Sequence, residues 1–474
     1  MRQQRIRLAV GEAAVALLVA SGSSVVAETA APSRPMALSP TAATQAASAP
    51  TPQIERGRYL VALGDCVACH TPAGAVPFTG GRPVATPFGT VLSANLTPDD
   101  ETGIGRYTPD TFYRALHEGI DRNGRHLYPA FPYTNTTWVT REDSDAMYAY
   151  LRTLQPAAHA VDRNRLPFPF NIRGLMVVWN WLYLDKGPYV ADASKSTEWN
   201  RGAYLVQGLG HCEACHTPRN VLGGPKRNQA LHGGAFGHWF APDITPNRRT
   251  GIGAWSRDDL LQFFREGRNA HSAASGEMGE VVGFSTSEMT DADLSAMLVY
   301  LQDRTPSPES AVQAPSEAVM EQGQAIWQDT CSACHGMQAK GAPHYFPPLR
   351  GNANLQQSDP TTVIHYILAG ARHRPTARAP TPLSMPAFEW KLDDAQIAAV
   401  ATYARNSWGN AAPGVTPEQV GQLRRKLIAA GGVSPRSTVA APTDLARPGP
   451  FTLAPPGTDS RDNGTSEAGR AAAR

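Results

Sequence analysis

The sequence predicts an all-α protein of three tandem domains with long loops, followed by a disordered C-terminal tail. Three observations lead to this fold class. A five-residue C-x-x-C-H motif occurs three times, separated by the length of a small domain. Each copy is followed by a segment whose apolar residues recur with the helical period. No stretch shows the sustained alternation of a strand, and 474 residues suit two to four domains.

The three motifs read Cys66–His70, Cys212–His216 and Cys331–His335, and they use all six cysteines of the chain. C-x-x-C-H is the attachment signature of c-type haem. Positions i and i+3 share one face of a helical turn, so both thiols can reach one porphyrin edge, and the histidine can take one axial site of the iron. The sequence therefore predicts three covalently bound haem c groups. The predicted thioether residues are Cys66, Cys69, Cys212, Cys215, Cys331 and Cys334, and the predicted proximal iron ligands are His70, His216 and His335.

Other uses of paired cysteines fit this chain less well. A zinc site would need two pairs close together in sequence, and a thioredoxin-like redox pair would need a βαβ context, which is not seen. A disulfide would not account for the histidine that follows every pair. Three complete copies without a stray cysteine favour haem attachment.

Residues 1–27 are predicted to be a signal peptide. Three arginines among the first seven residues precede a short apolar run at 13–20, and small residues up to Ala27 offer a cleavage site. Export agrees with haem attachment, which takes place outside the bacterial cytoplasm, so the prediction is a periplasmic protein. Residues 28–50 are rich in Ala, Pro, Ser and Thr and are predicted to be a flexible linker. The formal net charge of +2 gives no indication of a nucleic-acid partner.

An internal repeat sets the predicted domain boundaries. Arg56–Val61 precedes the first motif and is echoed by Arg201–Val206 before the second, and an N/D-x-T-P…T-G-I-G segment follows both. The third copy is more divergent. The predicted domains are 51–190, 191–310 and 311–410, which we call the first, second and third units. Residues 411–474 are predicted to hold one amphipathic helix, at Thr416–Ala429, and then the disordered tail.

Each unit is predicted to end in an amphipathic helix. Thr140, Thr290 and Asp393 are the predicted N-caps, and Gln396 completes a capping box in the third unit. A motif-bearing first helix and an amphipathic last helix, with loops between them, form the plan of a small cytochrome c domain.

The most apolar stretch after residue 27 is Gly174–Leu184, which is too short to cross a membrane. The favoured interpretation is a core helix that packs on the first haem. The alternative is a surface patch for a partner or a bilayer, with Trp179 and Trp181 as anchors.

A second axial ligand of each iron is expected on a loop just before the last helix of its unit. Met385 fits this position in the third unit and Met278 fits it in the second, where Met289 is a competitor beside the helix cap. The common alternative for any methionine is core filling. In the third unit, the Pro347–Leu349 turn could offer a carbonyl oxygen to the far nitrogen of His335, or it could be an ordinary proline turn.

The corresponding position in the first unit holds Phe131, which cannot bind iron. Three outcomes remain open: a five-coordinate iron, ligation by His126 of the same loop, or ligation by a methionine from elsewhere. Met176 is the best such candidate because it lies on the apolar 174–184 stretch. Met147 is less suitable because it falls on the buried face of the last helix.

With these residues in view, the chain resembles, over about 53–410, the triheme cytochrome c subunit of membrane-bound, quinone-linked dehydrogenases. The motifs that carry the resemblance are R-G-x-Y-L before C-x-x-C-H-T-P, Gly124–Tyr133, Pro167–Arg173, Met278 with Glu280–Val282, and Ser384–Pro386. Phe131 departs from the pattern, since many members carry methionine there.

The resemblance implies electron transfer from a dehydrogenase catalytic subunit, holding pyrroloquinoline quinone, flavin or molybdenum cofactor, to ubiquinone. It also implies a peripheral position on the outer, periplasmic face of the cytoplasmic membrane. No substrate-oxidising site is expected in this chain, because no nucleotide-binding glycine fingerprint or nucleophile elbow stands out. The rival hypotheses are a multihaem enzyme acting at an open first haem, peroxidase-like or thiosulfate-oxidising, and a free periplasmic electron shuttle.

Overall fold

The same pair of crossing helices occurs three times in the computed structural model, which describes residues 51–162, 164–309, 311–343 and 345–433. In each unit the helix before the C-x-x-C-H motif packs against a later helix, which we call the closing helix of the unit. The predicted signal peptide and linker, and the tail beyond residue 433, lie outside the described residues.

Short helices and one small hairpin lie between the two crossing helices of each unit. The first unit contains α1 (Pro52–Leu63), α2 (Cys66–His70), β1 (Pro83–Thr86), β2 (Gly89–Leu92), α3 (Pro109–Glu118), α4 (Tyr133–Thr136), α5 (Arg141–Leu151) and α6 (Leu175–Tyr183). The second contains α7 (Thr197–Ala203), α8 (Glu213–His216), β3 (His232–Phe236), β4 (Trp239–Asp243), α9 (Arg257–Glu266), α10 (Gly276–Phe284) and α11 (Asp291–Gln302). The remainder contains α12 (Glu317–Ile326), α13 (Ser332–His335), α14 (Thr361–Ala369), β5 (Ala371–Arg372), β6 (Ser384–Met385), α15 (Asp394–Arg405) and α16 (Pro417–Ala429).

A glycine lies at the crossing point of each helix pair. A Cβ atom on Gly57 would lie 1.9 Å from the carbonyl oxygen of Ala146, and one on Gly202 would lie 1.9 Å from that of Ala296. On Gly323 the corresponding distance, to the carbonyl oxygen of Ala399, is 2.3 Å. Non-bonded atoms cannot approach so closely, so only glycine lets the two backbones touch at this point.

The predicted N-caps of the closing helices are confirmed. The Thr140 hydroxyl accepts a hydrogen bond from the Asp143 amide at 3.2 Å, and Thr290 caps α11 in the same way. In α15 the side chains of Asp393 and Gln396 bond each other's backbone amides, which is the predicted capping box.

The first and second units pair through a reciprocal exchange of hydrogen bonds. The Tyr59 hydroxyl of α1 donates to the Asp293 carboxylate of α11 at 2.8 Å. The Tyr204 hydroxyl, which holds the same position in the repeat, donates to the Asp143 carboxylate of α5 at 2.6 Å. Both units contribute to one hydrophobic cluster, which we call the shared core. The two copies therefore pack like the halves of a symmetric dimer.

The third unit has its own hydrophobic cluster around the fully buried Trp327. Three apolar residues of α16, Val420, Leu423 and Leu427, belong to this cluster. The predicted amphipathic helix after residue 410 is confirmed, and it completes the core of the third unit. Thr362 fixes this unit to the second by bonding the backbone amide and carbonyl of Phe240 at 2.9 and 2.8 Å.

Among the described residues, three short antiparallel hairpins depart from the expectation of helices and loops alone. They pair β1 with β2, β3 with β4, and β5 with β6. The strands have only two to five residues and no regular alternation of buried and exposed side chains, so the pattern that reveals a strand in a sequence is absent. Across the part of the chain that the structure describes, no helix has both the length and the apolar character needed to cross a membrane.

We expect Gly202→Ala to destabilise the protein, because its new methyl group must push α7 away from the Ala296 carbonyl. Overpacking of this kind costs about 2 kcal/mol or more, and thermal unfolding of the haem-loaded protein would measure it. Gly174→Ala is the matched control, since nothing lies within 4 Å of a Cβ at that position. Equal midpoints for the two variants would contradict the proposed role of the crossing.

Candidate haem-binding sites

Each C-x-x-C-H motif forms or leads into a short helix a few residues after the first helix of its unit ends. In the first two units the chain turns sharply at the residue before the motif: Asp65 and His211 have φ values of 50° and 39°. In the third unit a π-helical turn at Trp327–Cys331 leads into α13 instead. The crossing of the helix pair, a few residues upstream, thus fixes where each motif begins.

All three motif histidines have Nδ1 within hydrogen-bond distance of a backbone carbonyl oxygen. His70 contacts Ala94 at 2.6 Å, His216 contacts Pro242 at 2.6 Å, and His335 contacts Pro347 at 3.3 Å. A carbonyl oxygen only accepts, so Nδ1 must carry the proton. Burial lowers the pKa of all three rings, which favours the neutral form with Nε2 unprotonated. That tautomer is the one able to bind iron.

The predicted contact between His335 and the Pro347 carbonyl is confirmed. The equivalent carbonyls of Ala94 and Pro242 were missed by the sequence analysis. Their signal was present, because each residue directly precedes the repeated segment that begins at Asn95 in one unit and Asp243 in the other.

The six cysteines are all unbridged. Cys66 and Cys212 pack against the shared core, and Cys331 packs against the cluster of the third unit. Burial raises the pKa of the Cys66 thiol to about 12 and the pKa of the Cys331 thiol to about 11. Paired thiols at the edge of an apolar core, next to a histidine with a prepared Nε2, fit a covalently attached macrocycle.

Met278 lies on helix α10, so the prediction that it occupies a loop is wrong. The chain enters this helix at Gly276, whose φ is 56°. Met278, Val281 and Val282 have the i, i+3, i+4 spacing of a helix face, and no proline interrupts it. The signal for a helix was therefore in the sequence.

Arg82 ties α10 to the motif of the first unit. Its guanidinium donates to the Ala68 carbonyl oxygen at 2.6 Å, within the first C-x-x-C-H sequence. The same group pairs with the carboxylates of Glu277 and Glu280, at 3.3 and 2.8 Å, on either side of Met278. One side chain thus sets the distance between the first motif and the helix that carries Met278.

The other two methionine candidates lie close to their closing helices. Met385 belongs to β6 and pairs with Ala371, ahead of α15. Met289 packs against the shared core just before the N-cap of α11. The assignments of Met278 and Met385 as iron ligands stay predictions.

In the first unit, Met176 and Phe131 lie in the same neighbourhood. Both pack against a small cluster of Tyr133, Trp179 and Leu184, which we call the Trp179 cluster. Phe131 also packs against the shared core, as Cys66 does. Met147 is buried in the shared core, as predicted from its face of α5.

His126 lies on the loop after α3, where its backbone bridges to Ile120. Its Nδ1 atom is buried and has no hydrogen-bond partner among the described residues. The choice between Met176, His126 and an open site at the first iron stays a prediction.

The favoured interpretation of Gly174–Leu184 as a core helix is wrong for one side of α6. Trp179 is buried, but Val177, Val178 and Trp181 are 54, 49 and 47% exposed. The helix is apolar on all sides while the protein covers only one of them, and the sequence pattern alone does not distinguish covered from uncovered apolar faces.

Comparison with known proteins agrees with this geometry. The sequence model of the cytochrome c family matches residues 320–408. The chain is 38% identical to a gluconate 2-dehydrogenase cytochrome c subunit of Pantoea cypripedii, over 78% of this chain and 89% of the relative. It is 37% identical to the fructose dehydrogenase cytochrome subunit of Gluconobacter japonicus, over 84 and 87%. It is 36% identical to the alcohol dehydrogenase (quinone) cytochrome c subunit of Gluconobacter oxydans, over 78 and 82%.

The chain belongs to the family of dehydrogenase cytochrome c subunits. The resemblance found in the sequence motifs is thereby confirmed. Because the chain belongs to this family, the group that its cysteines and histidines fit is covalent haem c. The protein therefore transfers electrons. The match at 320–408 falls within the third and most divergent unit of this cytochrome c subunit.

We expect Arg82→Ala to weaken the predicted bond between Met278 and iron. Hydrogen bonds to charged groups are worth about 1.5 kcal/mol or more, so the Met278 component of the sulfur-to-iron charge-transfer band should disappear at a lower temperature than in the wild-type protein. Met278→Gln should remove that component at every temperature.

Arg106→Ala is the matched control, because Arg106 forms an exposed pair with Glu101 on a loop between β2 and α3. An unchanged melting profile in Arg82→Ala would contradict the positioning role. A full band in Met278→Gln would transfer the ligand assignment to Met289.

Proposed function

We propose that this cytochrome c subunit carries electrons from a dehydrogenase catalytic subunit, through three covalent haems, to ubiquinone. The observation that carries the proposal is the threefold recurrence of one site: two thiols on a helical turn, followed by a histidine whose Nδ1 is bonded to a carbonyl. A single such site would fit many proteins, but three in one chain fit a protein that passes electrons from one haem to the next.

The chain's residues have distinct tasks in this proposal. The paired cysteines would tether each haem, and the Nε2 atoms of His70, His216 and His335 would bind its iron. The hydrogen bonds that Nδ1–H donates hold each ring in place and make Nε2 a better electron donor to the metal. When bound, haem supplies a reversible one-electron couple, whose potential a methionine ligand such as Met278 or Met385 raises.

The contacts between units support a path in which the second site is central. His211 Nε2 lies 3.2 Å from the Gly64 carbonyl oxygen, which joins the backbone segments just before the first and second motifs. Between the second and third units, the rings of Trp239 and His365 stack with their centroids 3.6 Å apart. Contacts of this kind hold the second unit directly against both of its neighbours.

The relatives support the choice of partners. Their names place them in gluconate, fructose and alcohol dehydrogenases, and one of those names specifies quinone. The catalytic partner would hold pyrroloquinoline quinone, flavin or molybdenum cofactor. The proposed location is periplasmic and peripheral, on the outer face of the cytoplasmic membrane.

A second candidate is an enzyme that acts at an open first haem, peroxidase-like or thiosulfate-oxidising. Phe131 favours it, since a phenyl ring stands where a ligand is expected. Two results would support this candidate over electron transfer alone: carbon monoxide binding to the reduced protein, and peroxide or thiosulfate turnover by the isolated chain.

We expect mass spectrometry of the mature protein to find three haems and no free thiol. Each of Cys66→Ala, Cys212→Ala and Cys331→Ala should weaken one attachment and leave the other two intact. Ser332→Ala is the control, because it alters a motif position whose side chain bonds the Gln328 carbonyl of the same helical turn. Two haems in the wild-type protein would contradict the proposed stoichiometry.

We expect a dehydrogenase subunit to co-purify with the protein from native membranes in mild detergent. Substrate added to that complex should reduce the haems and then a short-chain ubiquinone. A protein that purifies alone from the soluble periplasm would instead be a free shuttle, and haems that stay reduced in the presence of ubiquinone would refute the acceptor.

A further inference from the structure

Three buried apolar residues, one in each unit, have a left-handed backbone conformation. They are Phe78, Leu231 and Ala339, with φ values of 68°, 66° and 50° and exposed fractions of 8, 0 and 0%. Positive φ is uncommon outside glycine, because the Cβ atom then crowds the neighbouring backbone. Such a conformation persists only where the surrounding structure holds it in place. Its recurrence in three units calls for a common cause.

The second unit shows what this conformation does. The Leu231 carbonyl accepts a hydrogen bond from the Ile244 amide at 3.0 Å, and Ile244 lies two residues after Pro242, whose carbonyl contacts His216 Nδ1 at 2.6 Å. The Leu231 amide donates to the Thr217 hydroxyl at 3.0 Å, and Thr217 directly follows His216 in the chain. These three hydrogen bonds and the chain between them form a closed network around the motif histidine.

The closed network recurs in the other two units, although the chain between its members differs. The left-handed residue again accepts from the amide two positions after the carbonyl that contacts the histidine, and it again donates to the residue directly after the histidine. The bonds are Leu96 to Phe78 at 2.8 Å, Phe78 to the Thr71 hydroxyl at 3.0 Å, Leu349 to Ala339 at 2.9 Å, and Ala339 to the Gly336 carbonyl at 3.1 Å. The left-handed residue lies 8, 15 and 4 residues after the histidine in the three units. One arrangement reached over three loop lengths indicates that it serves the histidine.

Glycines bring the same segments together in the first and third units. Gly80 and Gly341, two residues after the left-handed residue, donate to the backbone carbonyl of the motif histidine at 2.8 and 3.0 Å. A Cβ atom on either glycine would lie within 3 Å of the carbonyl oxygen that the histidine ring contacts. The network is therefore packed directly against the motif.

We propose that Phe78, Leu231 and Ala339 are positioning residues that set how strongly the motif histidine of each unit donates electrons to iron. Left-handed φ lets one backbone unit accept from the carbonyl segment and donate to the residue after the histidine. The carbonyl is thereby held at Nδ1–H, and that bond makes Nε2 a stronger electron donor. Because a stronger donor favours ferric iron, the bond lowers the reduction potential of the haem and its loss raises that potential. The inference rests on the haem attachment of the proposed function.

A pair of substitutions at Leu231 tests the role of its backbone. Isoleucine has the same volume as leucine but is branched at Cβ, which disfavours a left-handed φ. In a redox titration of the purified, haem-loaded protein, Leu231→Ile should raise the midpoint potential of one haem and leave the other two at their wild-type values. Leu231→Met is the matched control, because methionine is unbranched at Cβ and fills a similar volume. It should leave all three potentials in place.

A second pair breaks the closed network at Thr217 and decides the question if Leu231→Ile does not mature with its full set of haems. Thr217→Val removes the hydroxyl that accepts from the Leu231 amide and keeps the shape of the side chain. Thr217→Ser keeps the hydroxyl. The same upward shift of one potential is expected in Thr217→Val, and none is expected in Thr217→Ser.

Thermal unfolding of the same samples separates positioning from packing. If Leu231→Ile lowers the unfolding midpoint while all three potentials stay unchanged, the residue only fills the core and the inference is overturned. Equal shifts in Leu231→Ile and Leu231→Met would also overturn it, since side-chain packing and not φ would then set the potential. A wild-type protein with fewer than three haems would contradict the proposed stoichiometry, whereas a shift of the second haem's potential would still support the role of Leu231.

Discussion

The contact of backbone against backbone at Gly57, Gly202 and Gly323 is the constraint on which the other features depend. It brings the first and last helices of each unit together without any side chain between them at the crossing point. Each motif starts within ten residues of that point, so the position of its thiols relative to the core is set by the crossing. The carbonyl that holds each histidine then comes from a later segment of the same unit.

The first two units share more than a fold. Each tyrosine of the reciprocal pair, Tyr59 and Tyr204, finds its carboxylate on the other unit, while Arg56 and Arg201 bind the same carboxylates from within their own units. These two carboxylates thus have their full set of partners only when both units are present. The third unit has a separate core, which α16 completes, and joins through Thr362 and its neighbours.

Local features of this fold were predictable from sequence, and those set by tertiary packing were not. Caps such as Thr140 and Asp393 depend on residues three positions away, so a short window contains the whole signal. The outer face of α6 gave a misleading signal, because burial depends on what the rest of the chain covers. The expectation of a loop at Met278 came from its distance to the motif, although its own neighbours have helical spacing. The unpartnered nitrogen of His126 has no sequence signature at all.

The reciprocal packing of the first two units has a consequence for how their sites can diverge. If two identical chains formed this interface, any substitution would enter both sites at once. Joined in one polypeptide, the two halves keep the symmetric contact through Tyr59 and Tyr204 while each changes on its own. Phe131 is an example of such a difference. The first unit has this residue, which cannot bind metal, where the second unit has Met278. Covalent fusion thus lets the interface stay the same while the two C-x-x-C-H sites change independently.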